Sequence, residues 1–397
     1  MKVLFVKQHL AFPRVSGLDV FCYELMRALG SLGHTVTLVT EQLVDHPSYR
    51  DLRVETIGAR AKGPPPGRGM RDRFASYWGV DANVIAAIAE RAESHDAVVA
   101  VGLKGLPYFN AFGPTGRGPI RVWLAGDEWA RHHLSLLRFG DRSTWHHLRL
   151  AAVEGLYERT YAKVIDRVWA VSPGEARAFR RVMRHPRVDV VPVGVDTEHY
   201  APSVVARRSN SCVFWGRLDF EPNDDAMRWF VAEVWPQVRE HTPDALLTIA
   251  GFGATPPLQR IASRAEGVDL FGGCDDIREL IATHEVAVVP MRTGHGAKNK
   301  VLEAAASGIP ILSTPRGMQG FDAHGAHVAQ AQPHLWSAAL HRLWRNPELR
   351  GQLAERARRQ VIENHSWTQT ARIALESLGA TNARSNDALA PQGNCGE

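Results

Sequence analysis

The sequence has few cysteines and no long apolar run. These two features argue against a disulfide-rich protein and against a membrane-spanning protein. Its 397 residues include 4 cysteines, at positions 22, 212, 274 and 395, without the spacing of a metal site or a disulfide framework. We therefore expect reduced structural thiols. No apolar run approaches the roughly 20 residues of a membrane span, and the apolar stretch after Lys2 is too short for a secretory signal. These absences predict a cytoplasmic globular protein.

Two motifs of other enzyme classes are also missing. The first predicted strand is followed by "KQHLAFPRVSG" rather than by Gly-x-Gly-x-x-Gly, which disfavours an NAD enzyme. No Asp-x-Asp metal site stands out, because "DFE" at Asp219 and "NDD" at Asn223 fall in an arginine-containing loop where we expect solvated carboxylates. The sequence therefore predicts no metal site.

The net charge is slightly positive and is spread along the chain. Lys and Arg number 47 against 42 Asp and Glu, a formal charge of +5. One local group comprises Arg177, Arg180, Arg181, Arg184 and Arg187. Such a group is either a solvated helix face or a surface for peripheral contact with anionic lipid or for an acidic substrate beside a cleft. No aromatic-interleaved RNA motif accompanies it, so we predict no nucleic-acid partner.

Short apolar strands alternate with helical patterns in two successive series, which predicts an α/β fold with two doubly wound parallel sheets. The first series consists of "VLFV", "TVTLVT", "RVETIG", "DAVVAVG", "IRVWLAG", "RVWAVS" and "VDVVPVG". The second consists of "CVFWG", "ALLTIAG", "VDLFG", "EVAVVP" and "PILST". Ligands of such sheets bind beyond the carboxyl ends of the strands, so two sheets in tandem imply a cleft.

Strand patterns and composition also divide the chain. We predict an N-terminal Rossmann-like domain over residues 1–197 and a second over 198–365, joined where "DTEHYAPSVVARRSN" loses its strand pattern. Residues 366–379 are expected to form a helix that packs back on the first domain, and 380–397 a disordered tail. The segment "ARAKGPPPGRGMRDR" from Ala59 is either a mobile basic loop or a plain connector.

The stretch "TGHGAKNKVLEAAASG" places two lysines where a helix start is already positive. Strong helix formers after Lys298 and the stop at Ser307-Gly308 predict a short helix. Lys298 and Lys300 then worsen the electrostatics of its first turn, unless an anion binds there. Gly294 and Gly296 let the backbone approach such an anion, so we predict a diphosphate site. The alternative is a solvent-facing, lysine-rich first turn.

At this point several motifs, in order, resemble one enzyme family. "FWGRLDFEPNDDAMRWF", "TIAGFG" and the stretch from Phe271 to Gly320, with "AVSPGEA" and "VPVGVDTEHYAP" upstream, look like the retaining, metal-independent glycosyltransferases of family four, which have the GT-B fold. The resemblance spans nearly the whole chain. It implies that a nucleotide-diphosphate sugar is held mostly by the second domain, with Gly216 and Gly251 among the donor-binding residues.

The resemblance assigns further roles in the second half. Glu303 matches a glutamate that accepts hydrogen bonds from ribose hydroxyls, and Arg217 matches an arginine that contacts the diphosphate. The family's usual lysine is replaced by Asn223, a loss for which Lys298 and Lys300 could compensate. The alternatives are a surface salt bridge for Arg217 and a helix-dipole partner for Glu303.

Assignments in the first half are fewer. Gly17 resembles the second glycine of a Gly-Gly loop close to donor and acceptor. After "IRVWLAG" the family carries a residue that faces the transferred sugar, for which Asp127 is our candidate and Glu128 its competitor. His295 stands where many relatives have a glutamate, so we predict a donor sugar with a different hydroxyl pattern, unless His295 merely lines the loop.

The function implied is transfer of a sugar, with retention, to a glycan, lipid-linked or small specialised-metabolite acceptor. Candidate catalytic residues are Asp127, Arg217, Lys298 and His295, and candidate donor-binding residues are Gly17, Gly216, Arg217, Gly251, Gly294, His295, Gly296, Lys298, Lys300 and Glu303. No cofactor is expected besides the UDP- or GDP-linked substrate. Alternatives on the same fold are a sugar-nucleotide epimerase or hydrolase and an inactive nucleotide-sugar-binding protein. Acceptor identity and oligomeric state stay open.

Overall fold

A computed structural model describes most of the chain. The described residues are 1–10, 17–43, 52–56, 69–80, 82–113, 115–126, 133–134, 143–273, 276–294, 296–321, 325 and 327–387. Three predicted site residues, Asp127, Glu128 and His295, lie outside them. Most of the predicted basic loop from Ala59 also lies outside them.

The N-terminal domain is built on a seven-stranded parallel sheet. Its strands are β1 (Lys2–Leu10), β2 (Thr35–Leu43), β3 (Arg53–Thr56), β4 (Ala97–Val101), β5 (Ile120–Gly126), β6 (Arg167–Ala170) and β7 (Val188–Val190). Their order is β3-β2-β1-β4-β5-β6-β7. All five residues of β4 are buried, as expected for a central parallel strand that has helices on both faces.

The C-terminal domain repeats the plan with a six-stranded sheet. Its strands are β8 (Ser211–Trp215), β9 (Leu246–Ala250), β10 (Val268–Phe271), β11 (Val286–Val289), β12 (Ile311–Ser313) and β13 (His327–Val328), in the order β10-β9-β8-β11-β12-β13. In both sheets the order reverses beside the first strand, which places a ligand crevice at the carboxyl ends of the strands. The predicted fold class of two doubly wound domains is confirmed.

Helices connect the strands of both domains. In the first they are α1 (Gly17–Ser31), α2 (Met70–Tyr77), α3 (Ala82–Ala92), a 3₁₀ helix (Leu103–Ala111), α4 (Ser143–Tyr161) and α5 (Pro173–Val182). In the second they are α6 (Glu221–Trp229), a π-helical turn (Phe230–Val234), α7 (Trp235–His241), α8 (Pro256–Ala262), α9 (Arg278–Ala282), α10 (Asn299–Ala306), α11 (Pro333–Arg345) and α12 (Pro347–Asn364). Within the described chain, no helix is both long and apolar enough to cross a membrane.

Twelve strands predicted from the sequence are present, and the helix predicted near Lys298 is α10. This helix begins at Asn299 with Lys298 as its N-cap, and it ends before Gly308, which adopts a φ of 65°. Among the strands of the described residues, only β13 has no counterpart in the prediction. It is two residues long, too short to show an apolar period.

The chain passes between the domains twice, and the two passages lie side by side. The first follows β7 and the second follows α12. Val195 in the first forms a parallel bridge with Ser366 in the second, and the Val195 amide donates to the His365 carbonyl at 2.7 Å. Just beyond, the Trp367 ring lies 5.7 Å from the ring of Phe21 in α1.

The last helix, α13 (Trp367–Asp387), returns the chain to the N-terminal domain. The Trp169 indole on β6 donates a hydrogen bond to the Ser377 hydroxyl at 3.0 Å. The helix continues to Asp387, past residue 380 where we predicted a disordered tail, and no proline interrupts it between Leu378 and Asp387. Residues 388–397 lie outside the described part.

Candidate active site

Two glycines bring the ends of β8 and β9 into close contact. Gly251 has a φ of 154°, and a Cβ atom there would lie 1.8 Å from the Gly216 carbonyl oxygen, so a side chain is excluded. The Gly216 amide donates to the Ala250 carbonyl at 3.0 Å, and the Leu218 amide to the Phe252 carbonyl at 2.8 Å. The segments that follow β8 and β9 thus stay hydrogen-bonded beyond the strands and form the base of the crevice.

The loop between β11 and α10 forms the next wall. Gly294 has a φ of 81°, a left-handed conformation that favours glycine, and a Cβ there would approach Pro222 of α6 to 3.1 Å. The Lys298 ammonium donates to the Gly296 carbonyl at 2.7 Å. The loop is therefore pinned between α6 and the start of α10, with the free amides of a helix N-terminus beside it.

Lys300 lies inside this wall rather than on the surface. It is 8% exposed, its Nζ donates to Asn223 Oδ1 at 2.9 Å, and it lies 3.8 Å from the centroid of the Phe214 ring. Burial, with the nearby Lys298 charge, lowers the pKa of Lys300 to about 7. The alternative of a solvent-facing lysine is thus wrong for Lys300, because the packing of α10 turns this side chain inward.

Asn223 connects Lys300 to the arginine loop. Its amide nitrogen donates to the Arg217 carbonyl at 2.7 Å while its oxygen accepts from Lys300. Gly216 completes the contact, because a Cβ there would lie 3.2 Å from the Lys300 ammonium. Position 223 therefore holds a neutral residue that orients a lysine from α10.

The Arg217 guanidinium itself is half exposed and pairs with Asp219. Its Nε and Nη2 atoms lie 2.9 and 3.3 Å from the two carboxylate oxygens. The surface salt bridge considered from the sequence is thus what this structure shows. An ion pair with both partners this exposed contributes about 0–1 kcal/mol, so a diphosphate can displace the carboxylate at little cost.

Asp224 and Asp225 are not solvated, contrary to our expectation, whereas Asp219 and Glu221 are exposed as expected. Asp225 is 3% exposed and accepts two hydrogen bonds from Arg292, at 2.7 and 3.1 Å. Asp224 accepts from Arg228 at 2.7 Å and from the Thr255 hydroxyl. These acids hold α6 against the loops around it. The described residues contain no group of three or more His, Cys, Asp or Glu that could hold a metal ion.

Glu303 lies beyond the first turn of α10, so the helix-dipole explanation is wrong. Its carboxylate accepts a hydrogen bond from the Trp215 indole at 2.6 Å and one from the Tyr200 hydroxyl. Burial raises the pKa of this carboxyl. Two acceptor sites of the carboxylate are used, and the remaining lone pairs can accept from a ligand.

The N-terminal domain reaches the same place through Gly17. This glycine opens α1, and a Cβ there would lie 3.3 Å from the side-chain nitrogen of Asn299 at the start of α10. Nearby, Lys7 and Asp19 form a shielded ion pair of 2.6 Å. The glycine of one domain thus faces the lysine-bearing helix start of the other, as a shared site requires.

Most predicted donor-binding residues are brought together here. They are Gly17, Gly216, Arg217, Gly251, Gly294, Gly296, Lys298, Lys300 and Glu303. The sequence interpretation missed Trp215 and Tyr200 as partners of Glu303, and Asn299 as the contact of Gly17. Trp215 directly precedes Gly216 and Arg217, and this position was the one feature of the sequence that could have identified it as a site residue.

Comparisons with known proteins agree with this architecture. Residues 15–199 match the family described as Glycosyltransferase Family 4, and residues 209–346 match Glycosyl transferases group 1. A search of curated proteins found no match.

Solved structures show the same fold at low sequence identity. Sucrose-phosphate synthase from Thermosynechococcus elongatus superposes with a TM-score of 0.71 at 15% identity, covering 98% of this chain and 99% of the other. HepE from Anabaena, in complex with UDP and glucose, gives 0.67 at 14%, covering 96% and 100%. The trehalose 6-phosphate synthase from Burkholderia multivorans gives 0.64 at 14%, covering 99% of each chain. With a GT-B fold and family matches over both domains, the chain belongs to the group 1 glycosyltransferases, enzymes that transfer a sugar from a nucleotide-sugar donor.

Proposed function

We propose that the protein is a retaining, metal-independent glycosyltransferase. The observation that carries the proposal is the buried Lys300, which Asn223 holds against Gly216 and which directly follows Asn299, the residue that faces Gly17 of the N-terminal domain. The leaving group of such a reaction is a diphosphate, whose developing charge must be stabilised. Lys300, Lys298 and Arg217 supply this positive charge without a metal ion.

In this proposal Lys300, on α10, supplies the positive charge of the lysine that is missing at position 223. The buried ammonium of Lys300 contacts an amide oxygen and an aromatic ring, and the nearby Glu303 does not supply enough negative charge to offset its burial, which the lowered pKa of Lys300 reflects. A diphosphate next to Gly216 supplies that charge. Its binding therefore stabilises the protonated lysine, and the lysine in turn stabilises the diphosphate as it leaves.

The remaining roles place the donor across the crevice. Glu303, held by Trp215 and Tyr200, accepts hydrogen bonds from the ribose hydroxyls. We further propose that Asp127 and His295 face the transferred sugar. The leaving diphosphate then assists removal of the acceptor proton while the acceptor attacks on the same face, so that no covalent enzyme nucleophile is required. The protein contributes position and charge.

A uridine nucleotide is the first donor to test, because a structural neighbour, HepE, is described in complexes with UDP and with UDP-glucose. The decisive assay measures release of nucleoside diphosphate from UDP- and GDP-sugars, with and without a panel of glycan, lipid-linked and small-molecule acceptors. Acceptor-dependent release supports the transferase. Release without any acceptor indicates a hydrolase or epimerase, and binding without turnover an inactive receptor. The anomeric configuration of the product, read by NMR, tests retention.

We also propose peripheral contact with anionic membranes through α4. Trp145, Leu148 and Leu156 lie on one face of this helix and are 79%, 36% and 51% exposed. Arg149 and Arg159 are exposed on the same helix, which suits an anionic lipid surface. Sedimentation with phosphatidylglycerol vesicles should fall in the variant Trp145→Ser/Leu156→Ser. Equal sedimentation of variant and wild type would remove α4 from the proposal.

A further inference from the structure

A cavity opens between the two domains, across Gly320 from the donor loop. It has a volume of about 820 Å³ and lies between α5 and residues 319–321. Leu134 and Phe321 give it apolar walls, and Arg177 and Arg181 line its other side. This volume falls in the range of small-molecule sites.

Gly320 joins this cavity to the donor loop. A Cβ at Gly320 would lie 2.9 Å from Ala297 Cβ and 3.6 Å from Ser172 Cβ. Ala297 stands between Gly296 and Lys298, and Ser172 caps α5 by accepting from the Glu175 amide at 3.2 Å. A molecule in the cavity is therefore separated from the donor loop by a single residue without a side chain.

The arginines of α5 divide into two kinds. Arg180 donates to the Val188 carbonyl at 2.6 Å and so ties the helix to β7. Arg177 and Arg181 are exposed and have no hydrogen bond or ion pair with any residue that the structure describes. They lie four residues apart on one helix face, where like charges repel. The lining carboxylate, Glu175, is 2% exposed and buried at the base of the helix.

We propose that Arg177 and Arg181 bind a phosphate monoester on the acceptor. Two guanidinium groups one turn apart suit the oxygens of a single phosphate, and its charge removes their repulsion. The apolar walls then contact the remainder of the acceptor, which lies across Gly320 from the donor loop. The inference rests on the proposed transferase function and specifies its acceptor as an anionic molecule.

The first experiment uses inorganic phosphate as the probe. UDP is kept at saturating concentration, so that phosphate does not enter the donor site, and binding is followed by ³¹P NMR line broadening. We expect the wild type to bind phosphate, and Arg177→Gln/Arg181→Gln to bind it at least about tenfold more weakly, because two charge-assisted contacts are lost. Arg184→Gln/Arg187→Gln, with the same change of charge outside the cavity, should match the wild type.

Glucose 6-phosphate and vesicles containing phosphatidic acid then separate a soluble source of the phosphate from a lipid source. Arginine-dependent binding of either supports the site, and neutral glucose should bind at least about tenfold more weakly than its phosphate. The proposal is overturned if phosphate binds only without UDP, or if both double variants lose it equally. A protein that binds no UDP contradicts the transferase itself, whereas normal UDP binding without arginine-dependent phosphate binding contradicts only the acceptor site.

Discussion

Donor binding should depend on pH through Lys300. In the ligand-free protein its pKa is about 7, because the ammonium is buried and lies near Lys298. If this ammonium contacts the diphosphate, the bound nucleotide raises its pKa well above that value. As the pH rises, the fraction of the protein in which Lys300 is protonated falls. Because this is the form that binds UDP, the apparent Kd for UDP increases.

The size of the effect follows from the titration. Between about pH 7.5 and 8.5 the protonated fraction of a group with a pKa of about 7 falls from about one quarter to about 3%. The Kd should therefore rise about eightfold across this unit of pH. The terminal phosphate of UDP is already ionised throughout, since its second pKa is about 6.

Isothermal titration calorimetry at both pH values gives the Kd directly. Lys300→Met should bind UDP weakly and with no such slope, while Lys163→Met, which removes an exposed lysine, should keep the wild-type slope. A flat profile in the wild type, or the same slope in Lys300→Met, would refute the role of this ammonium.

The stability of the ligand-free protein should increase with pH, whereas its affinity for UDP decreases. The pKa of Lys300 is lowered from 10.5 to about 7 by folding, so between these values the unfolded chain holds more protons. The free energy of unfolding therefore rises with pH in this window, by at most about 1.4 kcal/mol per unit, and the cost of the buried charge is complete below pH 7. Lys300→Met should remove this slope and raise the Tm of the ligand-free protein at neutral pH.

Three further predictions concern the donor. Glu303→Ala and Arg217→Ala should each weaken nucleoside diphosphate binding by roughly 1.5–3 kcal/mol with the fold preserved, and unchanged affinity in calorimetry would contradict the assignment of that residue. Activity should persist in excess chelator, because lysine and arginine supply the counter-charge; activity lost with EDTA and restored by magnesium would contradict this. His295→Glu should shift preference toward glucose-type or mannose-type donors in competition assays, whereas full activity with unchanged preference would leave His295 as a loop residue.

The strand pattern was legible because parallel strands covered on both faces are almost wholly apolar. β4 and β11 are buried along their full length, and each appears in the sequence as an uninterrupted apolar run. β13 offers no such run, since two residues cannot show a period. The continuation of α13 past residue 380 was missed for a different reason, because the segment after Leu378 lacks the apolar periodicity from which a helix is predicted.

The site was only partly legible. The glycines and lysines of the β11–α10 loop stand close together in sequence, so local electrostatics predicted an anion there. The contact between Lys300 and Asn223 joins positions 77 residues apart, and only the folded chain brings these two side chains together. The burial of Asp225 also depends on a distant partner, Arg292, so local reasoning described both carboxylates of that segment as solvated.

The paired passages between the domains constrain how the crevice can open. Because Val195 and Ser366 form a bridge with each other, the two segments that connect the domains lie next to each other on one side of the crevice. Two adjacent connections act as a hinge. They allow one domain to rotate relative to the other about this point, and they resist sliding of one domain past the other. Opening the crevice would then separate Gly17 from Asn299 while the contacts within the second domain, including Lys300 with Asn223, stay intact. The protein would admit its nucleotide with the diphosphate site already assembled, and only the side facing the acceptor would form on closure.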